Sequence, residues 1–169
     1  MRTAVIYSSK TGNTKKVAEA ILEGAGEGAE LVSAGTPVNP REYDLLFVGY
    51  WVDKGMPDEK SRKLMESITE SKVALFATLG AYPDSDHAVS CLEKGRKTLG
   101  QGCKVLDTFI CQGAIDPKLI EWMKTLPADH PHAPDEARIK RWQDASTRPD
   151  ATDLEKARKF AENVVGNLR

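Results

Sequence analysis

The chain has 169 residues, of which 40% are hydrophobic and 29% charged. These values are typical of a globular protein, and we expect one domain spanning residues 1–169. The 24 basic and 25 acidic side chains leave a formal net charge of -1, which argues against nucleic-acid binding because that function needs a basic face. No run of 18 apolar residues occurs in the sequence, which argues against a membrane span.

The cysteines indicate a reducing compartment. Cys91, Cys103 and Cys111 are odd in number and lack the spacing of metal ligands. No signal-peptide pattern surrounds the first apolar segment. We therefore expect a cytoplasmic protein whose three thiols are reduced and mostly buried.

The first half of the chain alternates short apolar segments with a helical pattern. Thr3–Tyr7 is a predicted strand, because it is continuously apolar and rich in β-branched residues. Apolar residues then recur at helical spacing over Val17–Leu22, and the glycines of 24–28 are expected to end this helix. Glu30–Ser33 and Leu45–Trp51 are the second and third predicted strands.

The second half continues the alternation. Pro57-Asp58 is expected to begin a helix, and Val73–Thr78 is the fourth predicted strand. A third helix is expected from about Asp86, before a fifth strand at Lys104–Cys111. The last helix is expected to begin at Thr152-Asp153-Leu154-Glu155, which has the pattern of a capping box.

This alternation predicts an α/β fold: a three-layer, doubly wound, five-stranded parallel sheet with helices on both faces. In such sheets a ligand lies at the carboxyl ends of the strands, where the winding direction reverses. The loops after strands one, three and four are therefore the predicted functional region.

One segment, at about 115–150, interrupts the alternation. It is rich in proline, with helical patterns around Lys118–Lys124 and Asp135–Gln143. Leu126–Pro134 is expected to be irregular, because proline sustains neither a helix nor a strand ladder. Two interpretations stay open: a surface excursion before the last helix, or a lid or partner-docking element.

The loop after strand one has the composition of a phosphate site. It offers hydroxyls, an amide, a cation and a glycine ahead of a helix N-terminus, whose free N–H groups attract anions. The residues are Ser9, Lys10, Thr11, Gly12, Asn13 and Thr14. The alternative interpretation is an ordinary polar turn in which Thr14 caps the helix. Neither a Walker A loop nor a dinucleotide-binding glycine pattern follows the strand.

Ser9-Lys10-Thr11-Gly12-Asn13-Thr14 resembles the phosphate loop of flavodoxins, Thr/Ser-x-Thr-Gly-x-Thr, and it follows a strand near the N-terminus as in that family. The resemblance covers about residues 1–113. It implies a five-stranded sheet in the order 2-1-3-4-5, noncovalent binding of flavin mononucleotide (FMN) and electron transfer between redox proteins.

The resemblance also implies two loops that hold the flavin ring. The first follows strand three, where the side chain of Trp51 is expected to stack on the ring and Gly55 to permit a peptide flip at the flavin N5. The second follows strand four, where Tyr82 is expected to flank the ring. The first loop contains Trp51, Val52, Asp53, Lys54 and Gly55, and the second contains Thr78, Leu79, Gly80, Ala81 and Tyr82. Their patterns resemble those of a divergent flavodoxin-like branch.

The resemblance favours an FMN electron carrier with a reductase as its electron donor or acceptor. Flavodoxins that serve many partners are strongly acidic, whereas the net charge here is -1, which favours a dedicated partner or a small-molecule reductase role. The alternative is an enzyme, an FMN-dependent NAD(P)H:quinone-type oxidoreductase. We assign no catalytic residue and no metal site: His87, His130 and His132 do not form a recognisable constellation, and a solvated loop is favoured over a metal site at the last two.

Overall fold

The polypeptide forms six strands and six helices in the computed structural model, which describes residues 1–169. The strands are β1 Thr3–Tyr7, β2 Ala29–Ser33, β3 Leu45–Asp53, β4 Met56–Pro57, β5 Lys72–Leu79 and β6 Lys104–Gln112. The helices are α1 Asn13–Ala25, α2 Glu59–Ser67, α3 Asp86–Thr98, α4 Pro117–Lys124, α5 Glu136–Ala145 and α6 Ala151–Gly166. A 3-10 turn spans Pro40–Glu42.

Five parallel strands form the sheet in the order β2-β1-β3-β5-β6. This is the predicted order 2-1-3-4-5 with one addition, the two-residue strand β4, which pairs antiparallel with β3. Tyr7 lies opposite Gly49, and Trp51 lies opposite Thr78. The carboxyl ends of β1, β3 and β5 therefore meet at one edge, and the loops after them are neighbours.

Helices cover both faces of the sheet, as the alternation predicts. On one face, Val5 and Phe47 pack with Phe160 and the other buried residues of α1 and α6. The rings of Phe47 and Phe160 meet edge to face, with centroids 5.9 Å apart. On the other face, Leu46 and Tyr50 pack with Met65 of α2 and the apolar residues of α3. The central strands β1, β3 and β5 are buried on both sides, which explains their unbroken apolar sequences.

Gly49 in β3 allows a close contact within this core. A Cβ atom at this position would lie 2.1 Å from the ring of Phe76 in the neighbouring strand β5. Only a residue without a side chain leaves room for that ring. The glycine therefore lets the ring of Phe76 lie against the backbone of β3, just below the carboxyl edge of the sheet.

The last helix begins differently from the prediction. Asp150, not Thr152, is its N-cap: the Asp150 side chain accepts a hydrogen bond from the Asp153 backbone, and the Asp153 side chain accepts one from the Asp150 backbone. The capping box assigned to Thr152–Glu155 is therefore wrong by two residues. Asp150 and Asp153 form the two reciprocal hydrogen bonds of a capping box, because a carboxylate accepts from a backbone N–H as a hydroxyl does.

The proline-rich segment folds into α4 and α5, close to the predicted helical patterns, with Leu126–Pro134 irregular between them. Its two ends are held together, because the Ala114 backbone N–H donates to the Arg148 carbonyl at 2.9 Å. The Arg148 guanidinium contacts Asp150 at 2.7 Å and Asp153 at 3.2 Å, at the start of α6. The segment is thus tied back to the sheet beside the loop after β1. None of the helices combines the length and apolarity needed to cross a membrane.

Candidate functional site

A cavity of about 300 Å³ lies at the carboxyl edge of the sheet. Its size is that of a small-molecule site. Three of its walls are the predicted loops, which contribute Ser9, Lys10, Thr11, Asn13, Thr14, Trp51, Val52, Thr78, Leu79, Gly80 and Ala81. The other predicted site residues, Gly12, Asp53, Lys54, Gly55 and Tyr82, do not line it.

Helix α1 opens onto this cavity without a capping side chain. Gly12 is its N-cap residue and offers no side-chain hydrogen bond, and the first turn contains no acidic residue. Every other helix is capped by an aspartate or serine, namely Asp58, Ser85, Asp116, Asp135 and Asp150. The first N–H groups of α1 are therefore available to an anion in the cavity, and the helix dipole favours one there.

The alternative interpretation of Thr14 as the cap of α1 is wrong. Thr14 lies within the first turn, and its buried hydroxyl is 2.8 Å from the hydroxyl of Thr78. This hydrogen bond joins the loop after β1 to the end of β5. Gly12 has φ +99°, a conformation in which side chains are strained, and a Cβ there would meet nothing within 4 Å. The loop therefore keeps open space above its backbone.

Two polar contacts connect the phosphate-type loop to the chain after β6. The Asn13 amide donates to the Ala114 carbonyl at 2.9 Å. Lys10 Nζ lies 3.7 Å from the Asp116 carboxylate and 5.5 Å from the centre of the Trp51 ring. Lys10 is exposed, so the ion pair contributes little to stability, but it holds a positive charge at the cavity rim.

The first ring loop is a tight hairpin. Lys54 and Gly55 connect β3 to β4 with φ +50° and +78°, as expected for the central pair of a two-residue hairpin turn. The turn carries both residues away from the cavity, whereas Trp51 and Val52 at the end of β3 line it. Asp53, Lys54 and Gly55 therefore do not line the cavity, and their roles in binding the ring stay predictions. The predicted stacking role of Trp51 is compatible with its position in the cavity lining.

Tyr82 is turned away from the cavity. Its hydroxyl donates a hydrogen bond of 2.7 Å to Asp144 of α5, and the same carboxylate accepts from Lys140 at 2.9 Å. These two donors lower the pKa of Asp144, and the hydrogen bond to Asp144 raises the pKa of Tyr82. Tyr82 therefore connects the loop after β5 to α5 and does not flank the cavity.

The fourth wall of the cavity comes from the proline-rich segment and was missed by sequence reasoning. It consists of Gly113, Ala114, Ile115, Asp116, Leu119, Met123, His132, Arg138, Arg141 and Trp142. The first four follow β6 at the same sheet edge, so the rule that ligands lie at carboxyl ends could have included them. The helical residues reach the cavity through tertiary packing, and no local sequence signal indicates that.

A buried carboxylate lies behind the loop after β1. Asp58 caps α2 and accepts a hydrogen bond of 2.7 Å from the Ser8 hydroxyl. Its Oδ2 atom also accepts from the Ser61 backbone, whereas Oδ1 is buried without a partner. Asp58 thus fixes the end of β1 against α2, and it lies outside the cavity lining.

One contact joins a thiol to a histidine: Cys91 Sγ lies 3.6 Å from His87 Nε2, outside the cavity lining. Burial raises the pKa of Cys111 to about 12 and also raises that of Cys91, so both thiols are protonated at neutral pH. No group of three or more His, Cys, Asp or Glu side chains is arranged to hold a metal ion. The cavity therefore offers binding groups: hydroxyls, backbone N–H groups, an indole and cations.

The fold and the uncapped loop define a class of protein, and a flavodoxin domain family model matches residues 4–162. The chain belongs to this flavodoxin family. It is 35% identical to the flavodoxin-like domain-containing protein BilS of Clostridioides difficile, in an alignment covering 98% of this chain and 97% of that protein. The protein of the same name from Clostridium symbiosum is 29% identical, with 91% and 90% covered.

Solved structures share the fold at low sequence identity. Oxidised flavodoxin 1 from Bacillus cereus superposes with a TM-score of 0.60 and 20% identity, and the whole of both chains is covered. A flavoprotein from Lactobacillus acidophilus, solved in complex with FMN, gives a TM-score of 0.54 and 18% identity over 72% of this chain and 97% of that one. These similarities confirm the predicted doubly wound α/β fold.

Proposed function

We propose that the chain is one domain that binds FMN noncovalently in this cavity and transfers electrons between the cofactor and a dedicated reductase partner in the cytoplasm. The observation that carries the proposal is the N-terminus of α1, which faces the cavity and is the one helix start without a capping side chain. A bound phosphate would complete it, because the first N–H groups of a helix and the positive end of its dipole favour an anion.

The residues present fit the phosphate of FMN. Three residues with hydroxyl groups, Ser9, Thr11 and Thr14, line the same cavity as the start of α1. The Ser9 hydroxyl accepts a hydrogen bond from the Gly12 backbone, which fixes the turn that leads into α1. Hydrogen bonds from such donors to a charged phosphate are stronger than those between neutral groups.

The residues present also fit the flavin ring. Trp51 supplies a flat, partly exposed aromatic surface, and Gly80 and Ala81 supply backbone with little side chain in the way. Aromatic stacking and backbone hydrogen bonds are the two interactions that a flat heteroaromatic ring needs. The related flavoprotein from Lactobacillus acidophilus was solved with FMN, which supports the same ligand here. When bound, FMN supplies the electron-accepting chemistry, and the chain binds and orients it.

A second candidate function is an FMN-dependent NAD(P)H:quinone-type oxidoreductase. The empty space continues past the three loops to α4 and α5, where Leu119, Met123 and Trp142 offer apolar surface. An oxidoreductase would bind its second substrate against this surface, whereas a carrier needs only an accessible cofactor. We favour the carrier because no recognisable nicotinamide-binding pattern occurs in the sequence.

Reduction by NADPH separates the two functions. The FMN-loaded protein is mixed with NADPH alone in a stopped-flow instrument, and then with NADPH and a flavodoxin reductase. A carrier is expected to be reduced by NADPH no faster than free FMN in the same buffer, and rapidly once the reductase is added. Rapid bleaching by NADPH alone, with catalytic turnover of a quinone, would contradict the carrier function and establish the oxidoreductase.

A further inference from the structure

Two arginines of α5 line the cavity without an acidic partner. Arg138 and Arg141 lie three residues apart, on one face of the helix. Arg138 donates one hydrogen bond, to the carbonyl of Ala133 at 3.0 Å, and neither guanidinium forms a salt bridge. Both side chains are half-buried. Their remaining donors are therefore available to a ligand.

The neighbouring carboxylates are engaged elsewhere. Asp144 accepts hydrogen bonds from Tyr82 and Lys140. Asp135 caps α5 through the Arg138 backbone N–H, and Asp116 pairs with Lys10. The cavity lining contains one carboxylate, Asp116, and three cationic side chains, those of Lys10 and the two arginines. The α5 side of the cavity thus carries two positive charges that the protein does not neutralise.

The surroundings of these charges are apolar. Trp142 is 6% exposed and Met123 is 8% exposed, and both line the cavity with Leu119. A guanidinium beside such surface loses hydration and gains strongly from an anionic partner, because the local dielectric is lower than in water. An isolated surface arginine gains much less.

Helix α5 is fixed to the ring side of the cavity. Tyr82, one residue after the cavity-lining Ala81, hydrogen-bonds Asp144, which lies one helical turn from Arg141. The phosphate-type loop instead has its own cation, Lys10, and its own donors at the start of α1. The phosphate-type loop therefore does not need the two arginines to bind a phosphate, and they line a different part of the cavity.

We propose that Arg138 and Arg141 form an anion subsite for a second ligand, an organic acid whose apolar body packs on Trp142, Met123 and Leu119. A carboxylate or sulfonate suits the pair, since guanidinium groups bind such planar or multidentate oxyanions through paired N–H donors. The inference rests on the proposed binding of FMN by the three loops and goes beyond the carrier function, because it assigns the α5 side to a small organic acid that binds beside the cofactor.

The test uses a matched pair of fluorescent probes with one aromatic body. 8-Anilinonaphthalene-1-sulfonate carries the anionic group, and N-phenyl-1-naphthylamine lacks it. Both are titrated into the FMN-loaded protein and into its Arg141→Gln and Arg138→Gln/Arg141→Gln variants. The exposed, unpaired Arg62 of α2 provides the control variant, Arg62→Gln.

The sulfonate probe is expected to bind the double variant at least about tenfold more weakly, since each charge-assisted hydrogen bond is worth about that factor or more. Binding of the neutral probe is expected to be unchanged, and Arg62→Gln is expected to affect neither. Arg141→Gln alone should already weaken the sulfonate probe. The Arg141 guanidinium makes no hydrogen bond within the protein, so its loss does not disturb α5.

If the double variant lost affinity equally for both probes, or kept its affinity for both, the anion subsite would be overturned. Complete displacement of the sulfonate probe from the cofactor-free protein by added FMN would also overturn it, because the arginines would then serve the cofactor itself. FMN binding is measured first, by quenching of flavin fluorescence. A chain that takes up no FMN but still binds the sulfonate probe through Arg141 would disprove the proposed function and leave the anion subsite standing.

Discussion

FMN binding is expected to weaken by about 100-fold or more in the Thr11→Val/Thr14→Val variant, since each lost charge-assisted hydrogen bond costs roughly 1.5–3 kcal/mol. Both threonines line the cavity beside the uncapped start of α1. Riboflavin has the same ring and no phosphate, so its affinity is expected to change little. Titration of each ligand, followed by flavin fluorescence, gives the two dissociation constants.

The controls separate phosphate binding from folding. Thr14 also hydrogen-bonds Thr78, so Thr11→Val alone, at an exposed position, reports the phosphate contact without that loss. Thr98→Val, at the end of α3, changes a threonine outside the cavity. It is expected to leave both affinities unchanged. If the double variant lost FMN and riboflavin equally, the loop would be structural and the phosphate assignment wrong.

Trp51→Ala is expected to weaken FMN and riboflavin alike, by about tenfold, since stacking is worth about 0.5–1.5 kcal/mol beyond the apolar area it buries. The indole is partly exposed at the cavity, so its removal leaves the core intact. The reduction potential of bound FMN is expected to rise, because an electron-rich ring against the flavin disfavours added negative charge. Spectroelectrochemistry on the FMN-loaded protein measures that potential.

Trp122 of α4 provides the matched control. It is 51% exposed and does not line the cavity, so Trp122→Ala should alter neither ligand affinity nor potential. An unchanged potential in Trp51→Ala, together with a large drop in the free energy of unfolding, would show that Trp51 serves packing at the end of β3.

The parts of the site that could be predicted are encoded locally. The loop Ser9–Thr14 lies between a strand and a helix that are adjacent in sequence, so its position at the sheet edge follows from those two elements. The same holds for Trp51 and Thr78, at the ends of buried strands that are directly opposite each other. Strand periodicity and the rule for carboxyl ends suffice for such residues.

The parts that could not be predicted depend on tertiary packing. Tyr82 lies where the second ring loop was expected, yet its hydroxyl reaches Asp144, 62 residues away along the chain. Trp142 lies in a helical pattern whose buried face could equally have packed on the sheet, and it lines the cavity instead. Neither outcome has a local signal, because the path of residues 115–150 is set by the pairing of Ala114 with Arg148 and of Arg148 with the start of α6.

The hairpin at Lys54-Gly55 is an intermediate case. The short strand β4 contains only Met56 and Pro57, too few residues to show a periodicity. Its lysine–glycine turn is nevertheless compatible with a two-residue hairpin once the strand is known. The flip expected of Gly55 therefore stays a prediction, whereas the position of Trp51 before the turn follows from the end of β3.

The central claim, that this cavity binds FMN, is tested most directly by titrating FMN into the cofactor-free protein while recording flavin fluorescence. The account predicts saturable quenching with one FMN per chain, because Trp51 and the loop after β5 would enclose the ring and α1 would hold the phosphate. Unquenched flavin fluorescence across the whole titration, with circular dichroism showing a folded α/β protein, would contradict it.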